Sequence, residues 1–122
     1  MKLSNQNIYT YATKLNEAFS DDSQKLPIKI NFYLQKNKNS LIDLAIQLEQ
    51  ERVKIITTYG VMNEEDGSYS FSQDNLNIAQ KELEDLFNLE QEVNIYTVNI
   101  ENLPDDISLT TAQMEAMLFM IE

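Results

Sequence analysis

The sequence predicts an α+β fold that is mostly α. Apolar residues recur at helical spacing in four segments, whereas only two short segments resemble strands. In chain order we expect an N-terminal helix, one long central helix, a small β-hairpin and one further strand lying between two C-terminal helices. At 122 residues the chain has the length of one domain, so residues 1–122 are predicted to form a single domain.

The first helix is predicted from its cap and its apolar spacing. Ser4 can cap it, Leu3 and Ile8 occupy the two positions of a hydrophobic staple, and we expect the helix to end near Ser20. The apolar residues at helical spacing are Ile8, Tyr11, Ala12, Leu15 and Phe19.

The long helix is predicted over residues 28–59, with Pro27 at its first turn and Gly60 after its last residue. An alternative stays open for residues 28–40, because this segment also alternates like a strand and Ser40 could then open a separate helix. The alternating residues are Ile28, Ile30, Phe32 and Leu34.

The stretch VMNEEDGSYSF, residues 61–71, is predicted to form the hairpin, because Asp66-Gly67 is a strong turn signal. It also resembles an acidic ion-binding loop. With Gly67 at the sixth position of a calcium loop, however, Met62 occupies the first and Gln73 the twelfth, where oxygen ligands including a bidentate Glu are required. We therefore predict no metal site.

The C-terminal elements follow from similar patterns. A third helix carries Leu76, Ala79, Leu83, Leu86 and Phe87, with Asp74 or Asn75 as its cap. A strand is predicted from Val93 to Ile100 because this segment is rich in β-branched and aromatic residues. Thr110 and Gln113 form a capping box for the last helix.

The last helix, TAQMEAMLFMIE, is apolar around most of its circumference, so it is either central to the core or half of an interface. Methionine suits both locations. We expect core packing first, and the candidate interface residues are Met114, Met117, Leu118, Phe119 and Ile121.

Composition argues against an enzyme. The chain has no cysteine and no histidine, which removes thiolate chemistry, the commonest general base and the commonest transition-metal ligands. With only two glycines, it has no glycine-rich phosphate-binding loop. We predict a non-catalytic protein without a cofactor. Because no signal-peptide core or long apolar run is present, we expect it in the cytoplasm and not in a membrane.

Charge is divided unevenly along the chain. Residues 1–60 hold eight Lys/Arg and six acids, net +2, whereas residues 61–122 hold one Lys and fourteen acids, net −13. Such a surface repels nucleic acid and attracts basic proteins, although an acidic surface also serves solubility alone. The candidate partner-binding residues are Glu64, Glu65, Asp66, Glu82, Glu84, Asp85, Glu90, Glu92 and Glu101.

Five stretches in order resemble small proteins of unknown function from tailed bacteriophages and prophages of AT-rich bacteria. They are KLPIKINFYLQKN, EQERVKIITTYG, EEDGSY, KELEDLFNLEQEVNIYTVNIENL and ISLTTAQMEAMLFMIE. The resemblance implies a phage context but no catalytic residue. It suggests an interaction protein in the host cytoplasm that inhibits a nucleic-acid-binding host defence enzyme through its acidic half.

Two alternatives stay open. The protein could be a virion structural or tail-assembly component that forms a homo-oligomer through the apolar helix at residues 111–121. It could also bind a small signal nucleotide in a pocket between the long helix and the sheet.

Overall fold

A computed structural model describes residues 1–20, 26–105 and 107–122. Within these ranges the fold is α+β and mostly α, with four α-helices, one of them long and central, and two antiparallel two-stranded sheets. In chain order the elements are β1 (Lys2–Ser4), α1 (Asn5–Ala18), α2 (Ile28–Tyr59), β2 (Val61–Met62), β3 (Tyr69–Ser70), α3 (Gln73–Asn88), β4 (Glu90–Glu92) and α4 (Thr111–Met117), with short 3-10 turns at Ile100–Asn102 and Leu118–Met120.

Helix α1 lies at the centre of the helical packing and contacts α2, α3 and α4. Ser4 caps it as expected, because the Ser4 hydroxyl accepts a hydrogen bond from the Asn7 backbone N–H at 3.1 Å. Ile8 and Leu15 are fully buried. The core therefore forms around the apolar stripe that the sequence predicts, although α1 ends at Ala18 instead of near Ser20.

Helix α2 is continuous from Ile28 to Tyr59, so the helical interpretation of residues 28–40 is correct and the strand alternative is wrong. The reason is visible in its burial: the buried side chains recur every three, four or seven residues along one face. They are Ile30, Leu34, Asn37, Leu41 and Leu48. A strand would place Asn37 on the face opposite Ile30 and Leu34, away from the core.

Gly60 ends α2 through close packing. Its φ of −98° is accessible to any residue, but a Cβ atom there would lie 2.8 Å from the Ile56 carbonyl oxygen and 3.0 Å from the Phe71 ring. Glycine is needed at this position because the next segment turns back tightly against the helix.

The hairpin forms as predicted. In β2 and β3, Val61 pairs with Ser70 and Met62 with Tyr69. Gly67 has a φ of +73°, the left-handed conformation that glycine adopts without strain. Every residue from 61 to 70 is exposed, so the hairpin projects from the helical body.

Two further features differ from the sequence prediction. The strand expected over Val93–Ile100 lies instead at Glu90–Glu92, where β4 pairs with β1. Val93 and Val98 are buried in the core, and Val98 forms an isolated parallel bridge with Ile121, so among the described residues this segment makes a single bridge and not a strand ladder. The cap of α3 is Ser72 and not Asp74 or Asn75, because its hydroxyl accepts the Asn75 N–H.

The chain closes on α4. Thr110 and Gln113 form the predicted capping box, with reciprocal hydrogen bonds of 3.0 and 3.1 Å. The last apolar residues continue as a 3-10 turn, and the Met117 and Met120 side chains are fully buried. Among the described residues, no helix combines the length and apolar character needed to cross a membrane.

Candidate protein-interaction surfaces

The nine candidate acidic residues are all exposed but occupy four separate elements. Three lie in the hairpin loop (Glu64, Glu65, Asp66), three on α3 (Glu82, Glu84, Asp85), two on β4 (Glu90, Glu92) and one on the 3-10 turn (Glu101). The structure therefore divides the set that the sequence predicts, and each group has a different local environment.

Three of the nine carboxylates are engaged in ion pairs within the chain. Asp85 contacts the Lys81 ammonium at 2.7 Å, and this hydrogen bond raises the pKa of Lys81. Glu90 lies 3.6 Å from Lys2, and Glu92 lies 2.9 Å from the Met1 amino group. The two carboxylates on β4 thus complement positive charge at β1 and are less available to a partner.

Two further carboxylates have neutral partners. Glu82 accepts a hydrogen bond of 2.8 Å from the Tyr59 hydroxyl, which raises the pKa of Tyr59. Asp66 accepts from the Ser68 backbone N–H at 3.0 Å and from the Ser68 hydroxyl at 2.7 Å, and these bonds lower the pKa of Asp66. Hydrogen bonds of this kind orient a carboxylate without neutralising it.

We use the name acidic surface for five carboxylates on two consecutive elements, the hairpin loop and α3: Glu64, Glu65, Asp66, Glu82 and Glu84. None has an ion pair within 4 Å among the described residues. The two contributing elements meet at the end of α2, where Tyr59 binds Glu82 through its hydroxyl and accepts from Asn75 of α3 through its carbonyl, one residue before the turn into the hairpin. Glu101 lies outside this surface on its own turn.

The apolar candidates at the C-terminus are mostly part of the core. Met117 is fully buried, and Met114, Phe119 and Ile121 are partly buried, with the Phe119 ring stacked on Tyr11 at 4.7 Å. Leu118 is the exception, with 62% of its surface exposed. The set is therefore not presented together on one exposed face.

The structure brings together a group that the sequence analysis did not single out, which we call the lysine–aromatic cluster: Lys29, Phe32, Tyr33, Lys36 and Tyr96. The Lys29 ammonium lies 5.7 Å from the Tyr33 ring centroid and the Lys36 ammonium 5.4 Å from that of Phe32. Tyr33 stacks on Tyr96 at 5.2 Å. In each lysine–aromatic pair the two residues are four positions apart on one helix, and this spacing is a signal in the sequence that could have identified them.

Two open pockets border these elements. One, of about 290 Å³, lies between α1 and α2 and is lined by residues that include Tyr9, Ile46 and Glu49. The other, of about 240 Å³, adjoins the lysine–aromatic cluster between Pro27 and Asn102. No group of three or more Asp, Glu, Cys or His side chains is placed to hold a metal ion within residues 1–20, 26–105 and 107–122.

Comparisons of the chain with protein-family models, curated proteins and solved structures find no match.

Proposed function

We propose that the protein is a non-catalytic interaction protein whose acidic surface binds a basic surface on another protein. The observation that carries the proposal is the excess of carboxylates without an ion pair in the hairpin loop and on α3, the elements that follow α2. Residues 61–122 contain fourteen acids and one lysine, and that lysine is already paired with Asp85. The five carboxylates of the acidic surface are exposed and have no ion pair in the described part of the chain.

The physical effect of this surface is attraction of positively charged partners at short range. Charges within about 8 Å of a contact act strongly at physiological ionic strength, whereas more distant charges are screened. Complementary potentials raise the rate of encounter and disfavour partners of like charge. A basic groove that normally holds phosphates has the complementary positive potential. The carboxylates would occupy the phosphate positions in that groove.

The resemblance to phage proteins supplies the biological setting of the proposal. In that setting the partner is a nucleic-acid-binding host defence enzyme, and the protein inhibits it in the host cytoplasm. The structural alternative, oligomerisation through the apolar C-terminal helix, has less support because Met117 is buried and Leu118 is the exposed member of that set. Binding of a signal nucleotide stays a prediction.

The proposal is tested with two variants that lose the same number of charges. The first carries Glu64→Gln, Glu65→Gln and Glu84→Gln on the acidic surface. The control carries Glu17→Gln, Asp43→Asn and Glu115→Gln, which are exposed and lie outside it. A partner is identified by affinity purification from bacterial lysate at low salt, and its affinity for each variant is then measured by calorimetry.

We expect the first variant to bind at least about tenfold more weakly, equivalent to about 1.4 kcal/mol, and the control to bind like the original chain. Binding should also weaken as salt rises. Equal losses in both variants would mean that only net charge matters, and affinity that does not change with salt would contradict the proposal.

A further inference from the structure

Two exposed apolar surfaces of opposite charge lie at the two ends of α2. At the N-terminal end, 85% of Ile28 and 52% of Phe32 are exposed beside Lys29 and Lys36. Just beyond the C-terminal end, 71% of Val61 and 53% of Met62 are exposed on the hairpin that carries the acidic loop. Apolar surface in water favours a partner that covers it, and the flanking charges select which partner.

The N-terminal surface is basic as well as apolar. No Asp or Glu occurs between Asp22 and Asp43, and neither Lys29 nor Lys36 has an ion pair in the ranges that the structure describes. Their ammonium groups lie over the Tyr33 and Phe32 rings. The lysine–aromatic cluster therefore presents positive charge and ring surface at the same place, with the 240 Å³ pocket beside it.

The hairpin has the complementary character. Met62 and Tyr69 form a cross-strand pair, and the loop between them carries Glu64, Glu65 and Asp66. Because β2 and β3 form a two-stranded sheet, no third strand in the described part of the chain pairs with either of its outer edges. This element combines apolar side chains and negative charge.

One molecule cannot join these two surfaces, because α2 separates them by its own length. Thirty-two residues at 1.5 Å per residue span about 48 Å. Two molecules can join them. We propose that the hairpin of one copy docks on the lysine–aromatic cluster of a second copy, so that the chain associates head to tail.

Such an interface is heterologous, because the two contacting surfaces differ. In a dimer one copy keeps a free cluster and the other keeps a free hairpin, so association continues into rings or open chains. The inference does not depend on the proposed partner binding. The lysine–aromatic cluster contains none of the acidic surface, so variants of the cluster test self-association and leave the acidic surface intact.

The test is a charge exchange measured by analytical ultracentrifugation at physiological ionic strength. The cluster variant is Lys29→Glu with Lys36→Glu, and the hairpin variant is Glu64→Lys with Glu65→Lys. All four positions are exposed, and circular dichroism checks that each variant folds. The control, Lys14→Glu with Lys54→Glu, has the same net charge as the cluster variant but changes exposed positions outside it.

We expect the original chain and the control to associate as concentration rises, and each double variant alone to lose this association. An equimolar mixture of the two double variants should associate again, because the unaltered cluster of one meets the unaltered hairpin of the other. A single chain with all four substitutions should also associate, since its charges are complementary with the signs exchanged.

Self-docking would be overturned by an original chain that stays monomeric at all concentrations, by a cluster variant that associates like the control, or by double variants whose mixture does not associate. The cluster could instead bind another class of partner. Binding of a single-stranded oligonucleotide or of anionic lipid vesicles by the monomer, lost in the cluster variant, would assign it that role and overturn self-docking.

Discussion

Three buried polar side chains each bind a segment far away in the sequence. Asn5, Asn37 and Gln113 all donate a side-chain N–H to a backbone carbonyl, over separations of 81, 59 and 95 positions. The carbonyls belong to Leu86, Tyr96 and Ala18, respectively. Asn37 makes a second bond to the same residue, because its amide oxygen accepts the Tyr96 N–H at 2.9 Å. Its side chain thus binds the Tyr96 backbone N–H and carbonyl as a neighbouring strand would.

Replacing Asn37 with alanine should lower the free energy of unfolding by about 1–3 kcal/mol, because the Tyr96 N–H and carbonyl would both lose their partner. Asn39→Ala, at an exposed position on the same helix, is the matched control and should have little effect. Urea denaturation of both variants measures the difference. Equal stability would show that water replaces Asn37 without cost.

The two glycines should respond differently to substitution. Gly67→Ala forces a left-handed residue with a Cβ and should cost about 1–2 kcal/mol, whereas Gly67→Asn should cost less because Asn tolerates this conformation. At Gly60 the obstacle is contact with the Ile56 carbonyl and the Phe71 ring, so Asn should be no better than Ala. Thermal unfolding of the four variants tests this. If the Asn variant were more stable than the Ala variant by a similar amount at both positions, the explanation would be wrong.

At the scale of the elements, the C-terminal helix tests the distinction between core and interface. Met117→Ala should lower stability by about 2–5 kcal/mol, because it creates a cavity at a fully buried site. Leu118→Ala removes a side chain that is mostly exposed and should change stability by less than about 0.5 kcal/mol. Chemical denaturation of the two adjacent variants measures the contrast. A large loss in Leu118→Ala would indicate that this residue is covered in solution.

The helices could be predicted because their signals are local. Ser4 and Thr110 have the residues they cap within three positions, and the buried face of α2 repeats along the chain itself. The cap of α3 was missed because Ser72 competes with two other good capping residues, Asp74 and Asn75. Local capping preference alone therefore does not determine which of the three residues caps α3.

Strands β1 and β4 could not be predicted, because their short sequences KLS and EQE have no strand pattern. They are strands because packing of α1 against α3 brings them side by side. In contrast, residues from Val93 onward have a strand composition but lie against the core, where Asn37 holds the backbone at Tyr96. Tertiary contacts override strand propensity in both segments.

At the scale of the whole molecule, the net charge of −11 should make stability depend on salt. Exposed like charges repel one another in the folded state, and added salt screens that repulsion. We expect the melting temperature to rise between low and moderate concentrations of sodium chloride. Glu64→Gln, which removes an exposed charge without an ion pair, should stabilise the protein at low salt and show a smaller salt effect. A melting temperature that falls as salt is added would contradict this.

The acidic character of the candidate site was predictable, but its division was not. Charge imbalance is a property of composition, whereas the ion pairs of Glu90 and Glu92 exist only because β4 lies beside β1. The lysine–aromatic cluster was missed because Tyr96 joins Tyr33 only after the chain folds back on α2. Surfaces assembled from distant segments leave little trace in one sequence.

The pairing of β1 with β4 has a consequence for the order of folding. The bond between Asn5 and Gln91 beside this sheet joins positions 86 apart, so the chain must close a long loop before the contact forms. The hairpin and the two helices beside it need no such closure. We therefore expect the sheet of β1 and β4 to assemble after the rate-limiting barrier, so that weakening it accelerates unfolding and leaves the refolding rate nearly unchanged.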